Sequence, residues 1–220
     1  MINVHNLGEK DSLFNQFISE IRNVDIQSDA MRFRRNMERI GEIFAYEISK
    51  TLPFERRKVI TPLGEVEMGV IKQQPVLATI LRAGLPLHQG MLNYFDRADN
   101  AFISAFRKHD LDGNFEIQID YISSPVLKNR TLIIIDPMLA TGRSMILSYR
   151  ELLTMGMPKH IHIVAAIASV DGLEYIQKHI PSTKCTIWLG AIDQELTAQS
   201  YIVPGLGDAG DLAYGSKLQD

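Results

Sequence analysis

Asp136 ends an uninterrupted apolar run, Thr131-Leu132-Ile133-Ile134-Ile135, and Pro137-Met138-Leu139-Ala140-Thr141-Gly142-Arg143-Ser144 leads from it into a helical pattern. The Asp136 carboxylate would be presented at the carboxyl end of the strand. The backbone N–H groups of residues 140–144 would open a helix, where unpaired donors and the macrodipole favour an anion such as phosphate. Thr141 and Ser144 add hydroxyl donors. The same residues also fit a structural turn, in which Asp136 caps the chain reversal, Gly142 meets a backbone requirement and Ser144 starts the helix. The spacing is not that of a Walker A loop, and the lysine of that motif is absent.

Two arginines also stand where strand-like runs end. Arg82 lies in Ile80-Leu81-Arg82-Ala83-Gly84-Leu85, and Arg107 precedes Lys108-His109-Asp110. Each could face an anionic ligand or simply meet solvent after a strand. Gly205-Leu206-Gly207-Asp208-Ala209-Gly210 satisfies G-x-G-x-x-G, yet the ten residues after it leave no room for the crossover helix, the next strand and the acidic residue about 20 positions on that a dinucleotide site requires. His88, His160, His162 and His179 show no metal-ligand spacing, and Cys185 inside an apolar strand reads as a small buried hydrophobe. None is assigned to catalysis. The basic runs Arg32-Phe33-Arg34-Arg35 and Arg56-Arg57-Lys58 are short and sit among other charges, as solvated faces or subunit contacts do.

These residues need elements to hold them. Between residues 11 and 50 apolar side chains recur at helical spacing, giving two amphipathic helices closed by Pro53. Residues 65–70 alternate after the Pro62-Leu63-Gly64 turn signal, and residues 115–121 alternate after Asp112-Gly113-Asn114; both read as strands with one wet face. Beyond them, strand-like runs at 76–81, 101–106, 131–135, 162–168 and 185–190 alternate with helical patterns at 84–95, 144–155 and 172–179. Continuous apolar strands are expected where both faces of a sheet are covered, so the pattern reads as a mostly parallel α/β sheet. Ligands in such folds bind where strands end and helices begin.

The chain has 220 residues, 45% apolar and 22% charged, enough for one domain with its own core. Residues 1–55 are expected to form a helical N-terminal segment and residues 56–220 an α/β core with a β-hairpin arm near 59–70 and 115–122. With Lys+Arg 23 against Asp+Glu 26, no overall positive field exists to hold nucleic acid or an anionic membrane. One cysteine excludes an intramolecular disulfide, the first residues do not have the form of a signal peptide, and no apolar run is long enough to span a membrane. A cytoplasmic location is expected.

The segment from Asp136 to Ser144 resembles the phosphoribosyl pyrophosphate (PRPP) loop of the uracil phosphoribosyltransferase family. Ile80-Leu81-Arg82-Ala83-Gly84-Leu85 is similar to that family's pyrophosphate-side loop and Thr61-Pro62-Leu63-Gly64 to its hairpin. Residues 201–211, Tyr201-Ile202-Val203-Pro204-Gly205-Leu206-Gly207-Asp208-Ala209-Gly210-Asp211, resemble its uracil-binding segment. The resemblance implies conversion of uracil and PRPP to UMP and pyrophosphate, with Mg²⁺ carried by PRPP rather than held in a protein cage. It implies that residues 140–144 hold the 5-phosphate, that Asp136 meets the ribose hydroxyls, and that Arg82 faces the leaving pyrophosphate. Pro137, Met138 and Leu139 complete the PRPP loop, and Arg107 is a second PRPP-binding candidate. Uracil would be read by the backbone of Ile202, Gly207 and Ala209, because its N3 donor and its O2 and O4 acceptors suit main-chain groups. Asp208 is placed with the ribose or the metal-bound pyrophosphate, and with Arg82 among the catalytic candidates. A homodimer or higher homo-oligomer is implied, and GTP, which activates parts of the family, is a candidate effector.

The chain departs from the family at Arg143, where uracil enzymes usually carry a second glycine; Leu212 and Ser216 replace a polar residue and a threonine. The expectation is that Arg143 is tolerated and adds a cation for phosphate. The rivals are a disabled homologue and a pyrimidine-nucleotide-sensing regulator that binds RNA. The second should show a continuous basic face.

Overall fold

The structure, a computed structural model, describes residues 2–109 and 115–216. It opens on a short strand, β1 (Asn3–Asn6), followed by α1 (Leu13–Arg22), α2 (Val24–Gln27) and α3 (Ala30–Ser49). The apolar periodicity of this region reads as two helices; the structure divides it into three because two capping residues interrupt it. Asn23 adopts extended backbone and its side chain accepts from Asp25 N–H, and Asp29 likewise accepts from Arg32 N–H, so each starts a new helix. Nothing in the alternation of residues 3–6 marked β1, which lies within the segment expected to be helical.

A free-standing antiparallel hairpin follows, β2 (Phe54–Thr61) and β3 (Gly64–Ile71), turning at Pro62-Leu63 as the sequence signalled. Then come β4 (Val76–Leu81), α4 (Leu85–Tyr94), β5 (Asp99–His109), β6 (Phe115–Ser123), β7 (Thr131–Ile135), the two-residue β8 (Met138–Leu139) and α5 (Arg143–Leu153). The chain continues through β9 (His160–Ser169), α6 (Val170–His179), β10 (Cys185–Asp193), β11 (Glu195–Leu196), β12 (Ile202–Val203) and α7 (Ala209–Tyr214). One expectation is corrected here: residues 115–122 are not part of the projecting arm. β6 pairs antiparallel with β5 and extends the central sheet, while only β2 and β3 form the arm.

The central sheet runs in the order β1-β10-β9-β7-β4-β5-β6, with β8 also on β9, and every pairing except β5–β6 is parallel. This is the mostly parallel sheet flanked by helices that the sequence pattern predicts. Its two faces explain the unbroken apolar runs. Ile133 and Ile135 pack with α1, α3 and α4, among Phe14, Phe44 and Leu87, while Leu132 and Ile134 face the opposite core around Met145, Ile146 and Ile176 of α5 and α6. From β4 the chain steps outward to β5 and β6, then returns to β7 on the other side of β4 and moves away through β9 to β10. The order therefore reverses between β4 and β7. Adjacent strands whose connections leave in opposite directions open a crevice at their carboxyl ends.

Candidate active site

Arg82 and Asp136 follow β4 and β7 directly, and the register pairs Thr79 with Ile135, so both leave the sheet at that crevice. The Asp136 carboxylate accepts from Met138 N–H at 3.2 Å. Removal from water nevertheless pushes its pKa up to about 7, the Met138 bond pulling only weakly the other way. The loop beyond it is stitched to the neighbouring strand, with Asp136 N–H donating to the Val164 carbonyl and Ile167 N–H to the Pro137 carbonyl, both at 3.1 Å. Pro137 and Leu139 turn their side chains into the protein, whereas Met138, Ala140, Thr141 and Ser144 keep partial exposure. Any substrate contact from Pro137 or Leu139 is thus a main-chain one.

Gly142 adopts φ +73° and leads into α5, whose first amides, on Arg143 and Ser144, have no intrahelical acceptor; that of Arg143 donates weakly to the Thr141 hydroxyl at 3.4 Å. Arg143 is exposed at the first helical position. A side chain on residue 142 would be strained by the backbone and would press on the Gly172 carbonyl and Tyr175. Two residues at the start of α6 support this loop and went unnoticed in the sequence. Ser169 donates its hydroxyl to the Ala140 carbonyl at 2.5 Å while accepting from Gly172 N–H, and a Cβ on Gly172 would collide with the carbonyls of Leu139 and Ala140.

Across the crevice lies the segment 202–211, and its shape depends on two glycines. β12 pairs with β11, the Val203–Pro204 peptide is cis, and Gly205 (φ +56°) folds back so closely that a Cβ would strike the Ile202 carbonyl. Gly207 (φ +89°) is exposed with open space around its Cα, while the side chains of Ile202, Leu206 and Ala209 are buried. A main chain so arranged offers its polar groups without a side chain in the way. The glycine-rich stretch is not loop to its end: α7 begins at Ala209, capped by Asp208, whose Oδ1 accepts from the N–H groups of Gly210 and Asp211 at 2.8 and 3.0 Å. A cavity of about 470 Å³ opens between α2 and this segment; Gln27, Ser28, Gly207 and Leu212 line it, and no residue of 136–144 does.

Arg82 joins the two sides. Its guanidinium donates to Asp211 at 3.0 Å and to the Gly215 carbonyl at 3.1 Å, so the β4 loop and α7 are in direct contact. Asp211 carries no assigned role in the sequence; its partner, more than a hundred residues away, is visible only in the fold. Arg107 pairs through its backbone with Ile117, and its side chain lies outside the described residues. His162 is buried, accepts from the Trp188 indole N–H and has its pKa pushed down to about 3 by desolvation. Burial pushes the Cys185 thiol up to about 12. Among the described residues no three His, Cys, Asp or Glu side chains gather as a metal cage, and no helix is long and apolar enough to cross a membrane.

The family model for uracil phosphoribosyltransferase matches residues 9–216. A uracil phosphoribosyltransferase of Porphyromonas gingivalis is 58% identical over 98% of this chain and 99% of its own length. Those of Methanococcus vannielii and Pyrococcus furiosus are 39% and 35% identical, over 92% and 93% of this chain and 86% and 87% of theirs. A solved structure of an Aquifex aeolicus protein, 29% identical, superimposes with a TM-score of 0.85 over 98% of this chain and all of that one.

Proposed function

This chain belongs to the uracil phosphoribosyltransferase family, and on that premise we propose that it transfers the phosphoribosyl group of PRPP to uracil, giving UMP and pyrophosphate. One observation carries the reading at the level of the site: Arg82, at the end of β4, touches Asp211 of the glycine-rich segment, so a phosphate-type loop, a cation and an open main-chain edge surround one crevice. The first amides of α5, with Thr141, Ser144 and the Arg143 side chain, hold the 5-phosphate. Asp136 accepts from the ribose hydroxyls. Uracil lies against the main chain of Ile202, Gly207 and Ala209.

As the bond from the ribose C1 to oxygen breaks ahead of attack, positive charge grows on the ring and negative charge on the leaving pyrophosphate. Arg82 stabilises the second of these charges, exchanging Asp211 and the Gly215 carbonyl for phosphate oxygens. Asp208, held at the head of α7, presents its carboxylate toward the ribose or the metal-bound pyrophosphate, and Arg107 supplies a second cation to PRPP. Carboxylates such as Asp208 and Asp211 beside a phosphate site suit Mg²⁺, a cation that keeps most of its water and is bound mainly through substrate phosphates. Bound there, it would neutralise leaving-group charge.

The hairpin β2–β3 leaves Ile60 and Leu63 exposed, with Met68 half exposed, and a second copy of the chain is the occupant that family membership suggests. Sedimentation should then show no monomer at micromolar concentration. The cytoplasm is the proposed compartment and GTP a candidate effector. The rival RNA-binding regulator is disfavoured by a net charge of -3. Formation of UMP and pyrophosphate from uracil, PRPP and Mg²⁺, with and without GTP, tests the reaction, with cytosine, hypoxanthine and orotate beside uracil. Turnover of uracil alone is expected; tight UMP binding without turnover would overturn it in favour of a regulator or disabled homologue.

A further inference from the structure

Gly205 is the first glycine of the segment proposed to read uracil, and both of its main-chain polar groups are taken by one ion pair from elsewhere in the fold. Its N–H donates to Asp193 Oδ2 at 2.9 Å, and its carbonyl accepts from Arg22 at 3.0 Å. The guanidinium and the carboxylate are themselves joined by two bonds of 2.8 and 2.9 Å. Arg22 is the last residue of α1 and Asp193 the last of β10, so three segments meet at one point. The Asp193 side chain is 8% exposed and that of Arg22 21%. In such a half-dry setting a bidentate fork fixes orientation as well as distance.

We infer that Arg22 and Asp193 are positioning residues for base recognition: a clamp that sets the backbone of Gly205 and thereby the direction of the open Gly207 amide two residues on. The inference rests on the proposed role of residues 202–209. Neither clamp residue needs to touch the base. The geometry between them and Gly207 leaves little slack, because Gly205 is turned back against Ile202 and the Leu206 side chain between the two glycines is buried. Releasing Gly205 would let the whole edge rotate. The phosphate side has supports of its own in Ser169 and Gly172, so the clamp should act on one substrate only.

The test is steady-state kinetics of Arg22→Met with uracil and PRPP varied in turn, beside thermal melting and hydrogen exchange at the Gly205 amide. The KM for uracil should rise at least about tenfold, the equivalent of about 1.4 kcal/mol, with the KM for PRPP within about twofold. Gly205 exchange should rise by a similar factor while core amides are unchanged. Arg22→Lys, which keeps the charge and loses the fork, should recover part of the effect. Asp193→Asn, which keeps an oxygen for the Gly205 N–H but loses the charge that holds Arg22, carries the comparison of the two KM values if Arg22→Met does not fold, with Gly205 exchange then read on Arg22→Lys. An unchanged uracil KM in a folded variant, a parallel rise of both KM values, or unchanged Gly205 exchange would overturn the clamp. Absence of uracil turnover in the unmodified chain would instead refute the proposed reaction, and Gly205 exchange would still judge the clamp.

Discussion

The phosphate-type loop at 136–144 and the glycine-rich segment at 202–211 face the same crevice, yet they are held in different ways. The first is fastened to the strand and helix that follow it: Ala140 to Ser169, Pro137 to Ile167, Gly142 against Gly172. These are main-chain and hydroxyl contacts across short stretches of chain, 29 residues in the case of Ser169. The second is fastened by charge from a distance. Arg22 reaches Asp193 across 171 residues and Gly205 across 183, and Arg82 reaches Asp211 across 129. A loop built into one strand-loop-helix unit inherits the rigidity of the sheet, whereas one held by long-range ion pairs, one largely buried and one partly exposed, is set by partners that a single substitution can remove.

The sharpest way to break this difference is Gly205→Ala. The positive φ and the collision with the Ile202 carbonyl must displace the glycine-rich segment, and kcat/KM for uracil should fall about a hundredfold, with PRPP binding by calorimetry preserved. An equal loss of PRPP binding would show that the two regions are not independent. On the other side, Asp136 should make PRPP binding depend on pH. In the role proposed for it the ionised form accepts from the ribose hydroxyls, so affinity should drop by up to about tenfold per unit as pH falls below about 7, and Asp136→Asn should flatten that slope. The linked stability has the opposite sense. A folded pKa of about 7 against the ordinary 3.8 favours the protonated form in the fold, so the stabilisation is full below about 3.8 and is lost as pH rises to about 7. Melting of the variant and the parent across that range checks it.

Two substitutions on the phosphate side should have smaller effects. Ser169→Ala removes two hydrogen bonds, to the Ala140 carbonyl and from the Gly172 N–H, each typically about 0.5–1.5 kcal/mol, and should raise the KM for PRPP several-fold while leaving that for uracil unchanged. Arg143→Gly removes an exposed cation near the proposed phosphate and should weaken PRPP binding only about two- to threefold. A rise in turnover by orders of magnitude would instead mark Arg143 as an obstruction.

The ease of reading followed the same division. The bounds of β4 and β7, residues 76–81 and 131–135, came directly from apolar runs, because strands covered on both faces carry no polar alternation to blur their ends. The order of Asp136, Gly142 and the helix behind them was equally plain, since strand, loop and helix are consecutive. Asn23 and Asp29 could have revealed the breaks between α1, α2 and α3, but apolar periodicity continued across them and outweighed two capping residues. The alternation of β6 fits any strand with one wet face and so reads as part of the arm, whereas pairing with β5 is a choice made between strands.

The parallel α/β sheet, the phosphate-type loop, the glycine-rich segment and the family all depend on residue types close together along the chain, and are therefore legible in it. That the crevice opens between β4 and β7, that Arg82 meets Asp211, and that Arg22 and Asp193 close on Gly205 follows from the packed fold alone. Side chains so far apart in the chain carry no mark of one another, and they become partners only when burial of the two sheet faces against their helices brings their ends together.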